Sequence, residues 1–281
     1  MYKTLVTVDT LKTYLHDPHW VVFDCRFQLD NPAWGRGDYD QSHIPGAMYA
    51  HLDDDLAAPK TEHTGRHPLP DPDDFVRWLG EHGVDADKQV VAYDQDGGMY
   101  ASRLWWMLRW LGHDSAAVLS GGWAAWNAAG YPVSDERVEA KPATFKARVR
   151  DDLWLTSDQL VSALRGKQVR LIDARGAPRF RGETEPLDPV AGHVPGAVNL
   201  PFMGSLDEQG RFKDAQALKE RFESVIGDTP GNQVVHMCGS GVTACHSLLA
   251  MEVAGLEDSR IYPGSWSEWI TDPERPVATG E

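Results

Sequence analysis

The sequence predicts an α/β protein made of two tandem copies of one domain, each a parallel sheet flanked by helices on both faces. Three observations carry this. The first is a repeat in fixed order. Phe23-Asp24-Cys25-Arg26 reappears as Ile172-Asp173-Ala174-Arg175, and His43-Ile44-Pro45-Gly46-Ala47 as His193-Val194-Pro195-Gly196-Ala197. Val90-Val91-Ala92-Tyr93-Asp94 matches Val234-Val235-His236-Met237-Cys238, and Gly121-Gly122-Trp123 with Trp126 matches Gly264-Ser265-Trp266 with Trp269. The second is the length, 281 residues, which suits about two domains at roughly 150 residues each. The third is the alternation, within each copy, of short apolar runs with amphipathic helical patterns, the signature of parallel βαβ units.

In chain order, Leu11, Tyr14 and Leu15 share a helical face behind Asp9 as N-cap, and residues 21–24 form a buried strand. Phe75, Val76 and Leu79 form the next helix behind Asp71 or Asp73, followed by strands at 90–93 and 116–119. Trp105, Trp106 and Trp110 have helical spacing and belong to a packed surface. The first copy occupies residues 1–137. Residues 138–152 are charged, carry Pro142 and lack an amphipathic period, so they read as a linker. The second copy, 153–281, opens with a helix bearing Leu160, Val161 and Leu164 behind Thr156 or Ser157. Its strands fall at 169–173, 234–237 and 260–262.

Composition narrows the function classes. Hydrophobic residues make up 42% and charged residues 25%, ordinary for a globular chain. Against 42 acidic side chains stand 27 basic ones, a net charge of −15. That argues against nucleic-acid and membrane-surface partners, which need clustered Lys and Arg. No run reaches the ~20 apolar residues of a membrane span, and the start shows no signal-peptide hydrophobic region. Three cysteines, Cys25, Cys238 and Cys245, are too few and odd in number for a disulfide framework. A reducing cytoplasm is the expected location.

In parallel α/β sheets, ligands bind beyond the carboxyl ends of the strands. Cys238 stands there, directly after the apolar run 234–237 and before Gly239, Ser240, Gly241, Val242 and Thr243, which open a helix carrying Cys245, Leu248 and Leu249. Glycines let backbone N–H groups curl toward one sulfur, and a helix N-terminus adds partial positive charge. Both favour the thiolate, the nucleophilic form, and would equally stabilise a persulfide anion.

This loop resembles that of the tandem rhodanese-type sulfurtransferases, in particular their 3-mercaptopyruvate branch; the thiosulfate branch carries a basic pair where Gly239-Ser240 stand. The paired His-x-Pro-Gly-Ala segments, the Asp-x-Arg strand ends and the Gly-x-Trp-x-x-Trp motifs extend the resemblance over essentially the whole chain. It implies two rhodanese-like domains, of which only the second is catalytic. Asp94 occupies the cysteine position of the first, and a carboxylate cannot carry a transferable sulfur. The implied reaction moves sulfur from a small anionic donor to cyanide, a small thiol or a protein thiol through a Cys238 persulfide, with no metal or organic cofactor. The resemblance maps the donor-binding arginine onto Arg179. It maps an interfacial His and Asp onto His67 and, to within one residue, Asp54; Arg66 adds positive charge beside them. One position departs from the pattern: Leu187 stands where mercaptopyruvate enzymes often have a second arginine.

His43, His193 and the Asp-x-Arg pairs occur in both copies and are expected to brace loops. Cys25 and Cys245 are expected to pack, and His51, His63 and His67 lack the spacing of a metal site. Three other readings use the same thiol: a thiosulfate:cyanide sulfurtransferase, a non-catalytic persulfide carrier module, and a cysteine phosphatase. The last needs an arginine closing the loop, where Ala244 stands, and none occurs from 239 to 255.

Overall fold

The computed structural model describes all residues, Met1–Glu281. The chain divides into two compact units. Unit 1 comprises Met1–Ala58, Leu69–Arg150 and Glu208–Phe212; unit 2 comprises Pro59–Pro68, Asp151–Asp207 and Lys213–Glu281. No helix is long and apolar enough to cross a membrane.

In unit 1 the elements are β1 (Leu5–Val6), α1 (Val8–Thr13), β2 (Trp20–Asp24), α2 (Trp34–Gln41), β3 (Met48–Tyr49), α3 (Pro72–Glu81), β4 (Gln89–Tyr93), α4 (Ala101–Trp110), β5 (Ala116–Leu119) and α5 (Gly122–Ala128). Five parallel strands lie in the order β1-β5-β4-β2-β3. Strand β4 is buried along its whole length, as a central parallel strand must be. Val22, Val91, Leu119 and Trp126 meet in one core cluster.

Unit 2 contains α6 (Ser157–Arg165), β6 (Arg170–Asp173), α7 (Ala177–Phe180), β7 (Val198–Asn199), α8 (Ala215–Ile226), β8 (Val234–Met237), α9 (Val242–Val253), β9 (Arg260–Ile261) and α10 (Ser265–Trp269). Its parallel order β7-β6-β8-β9 repeats that of unit 1 without the first strand. Of that strand only an isolated parallel bridge from Trp154 to Ile261 is present. The chain runs from β6 outward to β7 and then returns to β8 on the other side of β6. The switch point between β6 and β8 is where such a sheet opens a crevice for ligands.

Local signals explain the helix starts. Asp71 caps α3, its Oδ1 accepting the Asp73 N–H at 2.9 Å, with Pro72 at the first helical position. Thr156 and Gln159 form a reciprocal capping box on α6. The cap of α1 is Thr7, two residues before the expected Asp9, because Thr7 Oγ1 accepts the Thr10 N–H at 3.2 Å. Asp9 sits inside the first turn instead, and α1 ends at Thr13, before Leu15.

The stretch read as a linker is packed along unit 1. The Ala143 N–H donates to Gly80 O at 2.8 Å, the Arg148 N–H to Leu111 O at 2.9 Å and the Arg150 N–H to Trp110 O at 2.8 Å. Phe145 is buried. A Cβ on Gly80 would meet Ala143 O at 2.8 Å, so the close approach needs glycine.

The sequence repeat is a repeat of interactions. Asp24 and Arg26 pair at 2.6 Å, Asp173 and Arg175 at 2.7 Å, and all four side chains are buried. The guanidinium lies over Trp123 at 4.6 Å in the first copy and over Trp266 at 4.7 Å in the second. His43 Nδ1 donates to Tyr39 O and His193 Nδ1 to Phe180 O, each ring stacked on that residue's own ring. These residues brace loops in both copies.

Candidate functional site

Cys238 sits immediately past the end of β8, beside the switch point, and is 2% exposed. Ala174, Ala244 and Phe202 form its apolar surroundings. Sγ accepts one hydrogen bond, from the Gly241 N–H at 3.2 Å. The several converging N–H groups expected from the loop are thus one directed bond to the bare sulfur. Gly241 has φ +80, and a Cβ there would meet Pro263 O at 2.3 Å, so only glycine fits. Val242 and Thr243 begin the 12-residue α9, whose N-terminal partial charge faces the loop. His236, on the same strand, is held down to about 3 by burial, so it is neutral and adds no charge.

The loop is held from behind by α10. The Trp266 N–H donates to Cys238 O at 3.0 Å and the Ser267 N–H to Gly239 O at 2.9 Å. In the first copy the Trp123 N–H reaches Asp94 O and the Ala124 N–H reaches Gln95 O in the same way. The Gly-x-Trp motif is therefore a loop anchor. Ser265 adds a contact that sequence reading missed: its Oγ accepts the Cys238 N–H at 3.1 Å and donates to Tyr262 O at 2.9 Å. Its φ is +53, where the matching Gly122 has +54. A serine standing where the other copy needs glycine was the available signal.

Unit 2 brings together Cys238–Thr243, Arg179 and His67. The 59–68 segment places His67 Nδ1 at 2.7 Å from Ser240 Oγ, both buried. Arg179 projects from α7 and pairs with Glu185 at 2.7 Å and Asp188 at 3.1 Å. A Cβ on Gly239 would lie 3.5 Å from Arg179 Nη1, so this guanidinium borders the thiol loop. Glu185 and Asp188 were not singled out from sequence, because carboxylates in an aperiodic loop carry no pattern. Leu187 is exposed and meets this network only through its backbone N–H, which donates to Glu185. Asp54 belongs to the other unit. It is 81% exposed, with its carboxylate 3.3 Å from His51 Nδ1.

The other cysteines are packed. Cys245 donates from its thiol to Gly241 O at 3.2 Å, one turn back on α9. Cys25 lies just beyond β2 rather than within it. Burial, with Asp24, Asp94 and Asp55 nearby, pushes its thiol well up, so it stays protonated.

In the first copy, Asp94 occupies the corresponding strand end. Its carboxylate accepts N–H bonds from Asp96, Gly98, Tyr100 and Ala101 at 2.7–3.2 Å. Burial nonetheless raises its pKa to about 6, against the lowering effect of those bonds. Between about pH 4 and pH 6 the unfolded chain has lost this proton while the folded chain keeps it. Asp94's contribution to stability is therefore full below about pH 4 and lost as pH rises through 6, by about 3 kcal/mol. Asp94→Asn is expected to remove this share of the pH slope, read from urea midpoints of unit 1 at pH 4 and 7. An unchanged slope would show that Asp94 is not its source.

Fold and site define the class: a tandem parallel α/β protein with a thiol loop at a strand end, bordered by arginine. The Rhodanese-like domain model matches twice, at residues 7–129 and 156–272. The chain belongs to the rhodanese family. It is 46% identical to a probable 3-mercaptopyruvate sulfurtransferase of Pseudomonas aeruginosa over 99% of this chain and 98% of that one. It is 34% identical to the thiosulfate sulfurtransferase of Rattus norvegicus, over 100% and 97%. SseA from Escherichia coli, a 3-mercaptopyruvate sulfotransferase with the rhodanese fold, superposes with a TM-score of 0.81 at 31% identity, over 95% of this chain and 100% of that one.

Proposed function

We propose that the chain is a sulfurtransferase that passes sulfur from a small anionic donor, 3-mercaptopyruvate in preference to thiosulfate, to cyanide or a thiol through a Cys238 persulfide. The observation that carries this is the grouping of Arg179 and the Ser240–His67 pair around the Cys238 loop. The names of the relatives, covering both donors, support it.

Arg179 holds the donor's anionic group, as guanidinium suits oxyanions. The Cys238 thiolate attacks the donor's outer sulfur and an S–S bond forms. In 3-mercaptopyruvate the C–S bond breaks and its electron pair leaves as the pyruvate enolate, which takes a proton through Ser240 and His67. In thiosulfate the S–S bond breaks and sulfite leaves. The acceptor then attacks the outer persulfide sulfur and restores the Cys238 thiolate; with cyanide the product is thiocyanate. Two half-reactions through a covalent intermediate predict ping-pong kinetics. No disulfide joins the three cysteines, and we place this chemistry in the reducing cytoplasm.

The test is mass spectrometry of the purified chain after incubation with each donor. One added sulfur on the Cys238 peptide is expected, and none from either donor overturns the reading. Arg179→Ala is expected to slow loading from small donors about 10–100-fold, the worth of charge-assisted hydrogen bonds. A carrier module, fed by a protein partner, would be indifferent to that change.

A further inference from the structure

We propose that Arg66 is a substrate-binding residue, the second guanidinium of a clamp that recognises an α-keto carboxylate donor. The inference rests on the sulfurtransferase reading above and adds the residue and the donor class it selects.

Arg66 is built into the loop rather than draped over it. Its backbone N–H donates to Ser267 Oγ at 3.0 Å. The preceding Gly65 lies so close to Gly264 that a Cβ would meet Gly264 O at 2.6 Å. The following residue is His67, bonded to Ser240. Three consecutive positions thus fix where the Arg66 side chain starts.

One carboxylate then sets the spacing of two guanidinia. Asp188 Oδ1 accepts from Arg66 Nη1, and Asp188 Oδ2 accepts from Arg179 Nη2. Asp188 is 4% exposed, so this bridge is little screened by solvent. Glu185 takes the remaining Nε edge of Arg179. Arg66 Nη2 and Arg179 Nη1 keep their donors for a ligand. Both converge on one point of the thiol loop: a Cβ on Gly239 would lie 2.7 Å from the first and 3.5 Å from the second. Glycine at 239 lets the two guanidinia come this close to the loop backbone.

The charges decide what fits. Arg66 and Arg179 are balanced by Glu185 and Asp188, so the clamp attracts through directed N–H groups rather than through excess charge. Two donors from two separate guanidinia suit two oxygens on adjacent carbons, the carboxylate and keto oxygens of an α-keto acid. Thiosulfate presents its oxygens on one sulfur. Leu187 supplies no cation to this network, and Arg66 brings one from the 59–68 segment.

The experiment measures kcat and KM of the full chain, Arg66→Ala and Arg66→Lys with 3-mercaptopyruvate and with thiosulfate, cyanide being the acceptor. Arg66→Ala is expected to raise KM for 3-mercaptopyruvate about 10–100-fold, with kcat changed far less. The preference for 3-mercaptopyruvate, as a ratio of kcat/KM values, should fall by a similar factor. Arg66→Lys, which keeps charge and loses the fork, is expected to fall between the two, and it decides the matter if Arg66→Ala does not fold. A preference within twofold of wild type in the soluble variants overturns the clamp. Absence of sulfur loading in the unaltered chain would instead overturn the sulfurtransferase reading.

Discussion

Cys238→Ser is expected to abolish turnover with both donors, lowering kcat by on the order of 10⁴-fold or more, as removal of an enzymatic nucleophile does. Serine keeps the shape of the side chain and its position behind the Gly241 N–H. What it loses is a sulfur that can attack as a thiolate and carry a second sulfur. The Ser265 and α10 contacts to the loop are backbone contacts at this position and survive the change. Folding should therefore be intact, with a urea midpoint close to wild type. Cysteine-to-serine at Cys25 or Cys245 should leave loading at Cys238 in place, because both are packed against backbone or sheet. Residual turnover within tenfold of wild type in Cys238→Ser would move the chemistry to another group.

Arg175→Ala is expected to be the most destabilising single change in unit 2, by about 3–5 kcal/mol, the cost of leaving one member of a buried ion pair alone. The whole fold has a margin of about 5–15 kcal/mol. Arg175 donates Nε and Nη2 to Asp173, Nη2 also to Gly192 O at 2.7 Å, and lies over the Trp266 ring. Its loss leaves the fully buried Asp173 with the backbone N–H of residue 175 as its remaining bond. The matched Arg26→Ala in unit 1 should cost less. There Tyr93 Oη donates to Asp24 Oδ2 at 2.7 Å, and the matching residue in unit 2 is Met237, which has no such donor. Hydrogen exchange resolved by region checks the pair, since two domains do not unfold as one state. Equal losses in the two units would mean that the Tyr93 bond contributes nothing.

The central strands, the repeat and the thiol loop could be read from sequence because each is a run of apolar residues closed by a turn. The edge strands β3 and β7 could not. Each is two residues long, and two residues carry no period. The pairing of Asp24 with Arg26 was legible from recurrence in both copies. The Glu185 and Asp188 network was not, because it has no counterpart pattern in the first copy. The 59–68 segment was assigned to the first copy by its place in the chain, yet it packs with the second. Nothing in its composition marks that transfer, since its contacts are made by single residues, Gly65, Arg66 and His67, each satisfied by a different partner. Arg179 and His67 came from resemblance, and their contacts with Glu185 and Ser240 came from the structure.

The carboxylate of Asp94 can also be viewed as a ligand tied to its own receptor. Four N–H groups, from the turn before α4 and from its start, converge on a carboxylate that the chain delivers on a tether two bonds long. The effective concentration of such a tethered ligand far exceeds that of any free donor. A free anion reaching this strand end would have to compete with a carboxylate that the chain itself supplies.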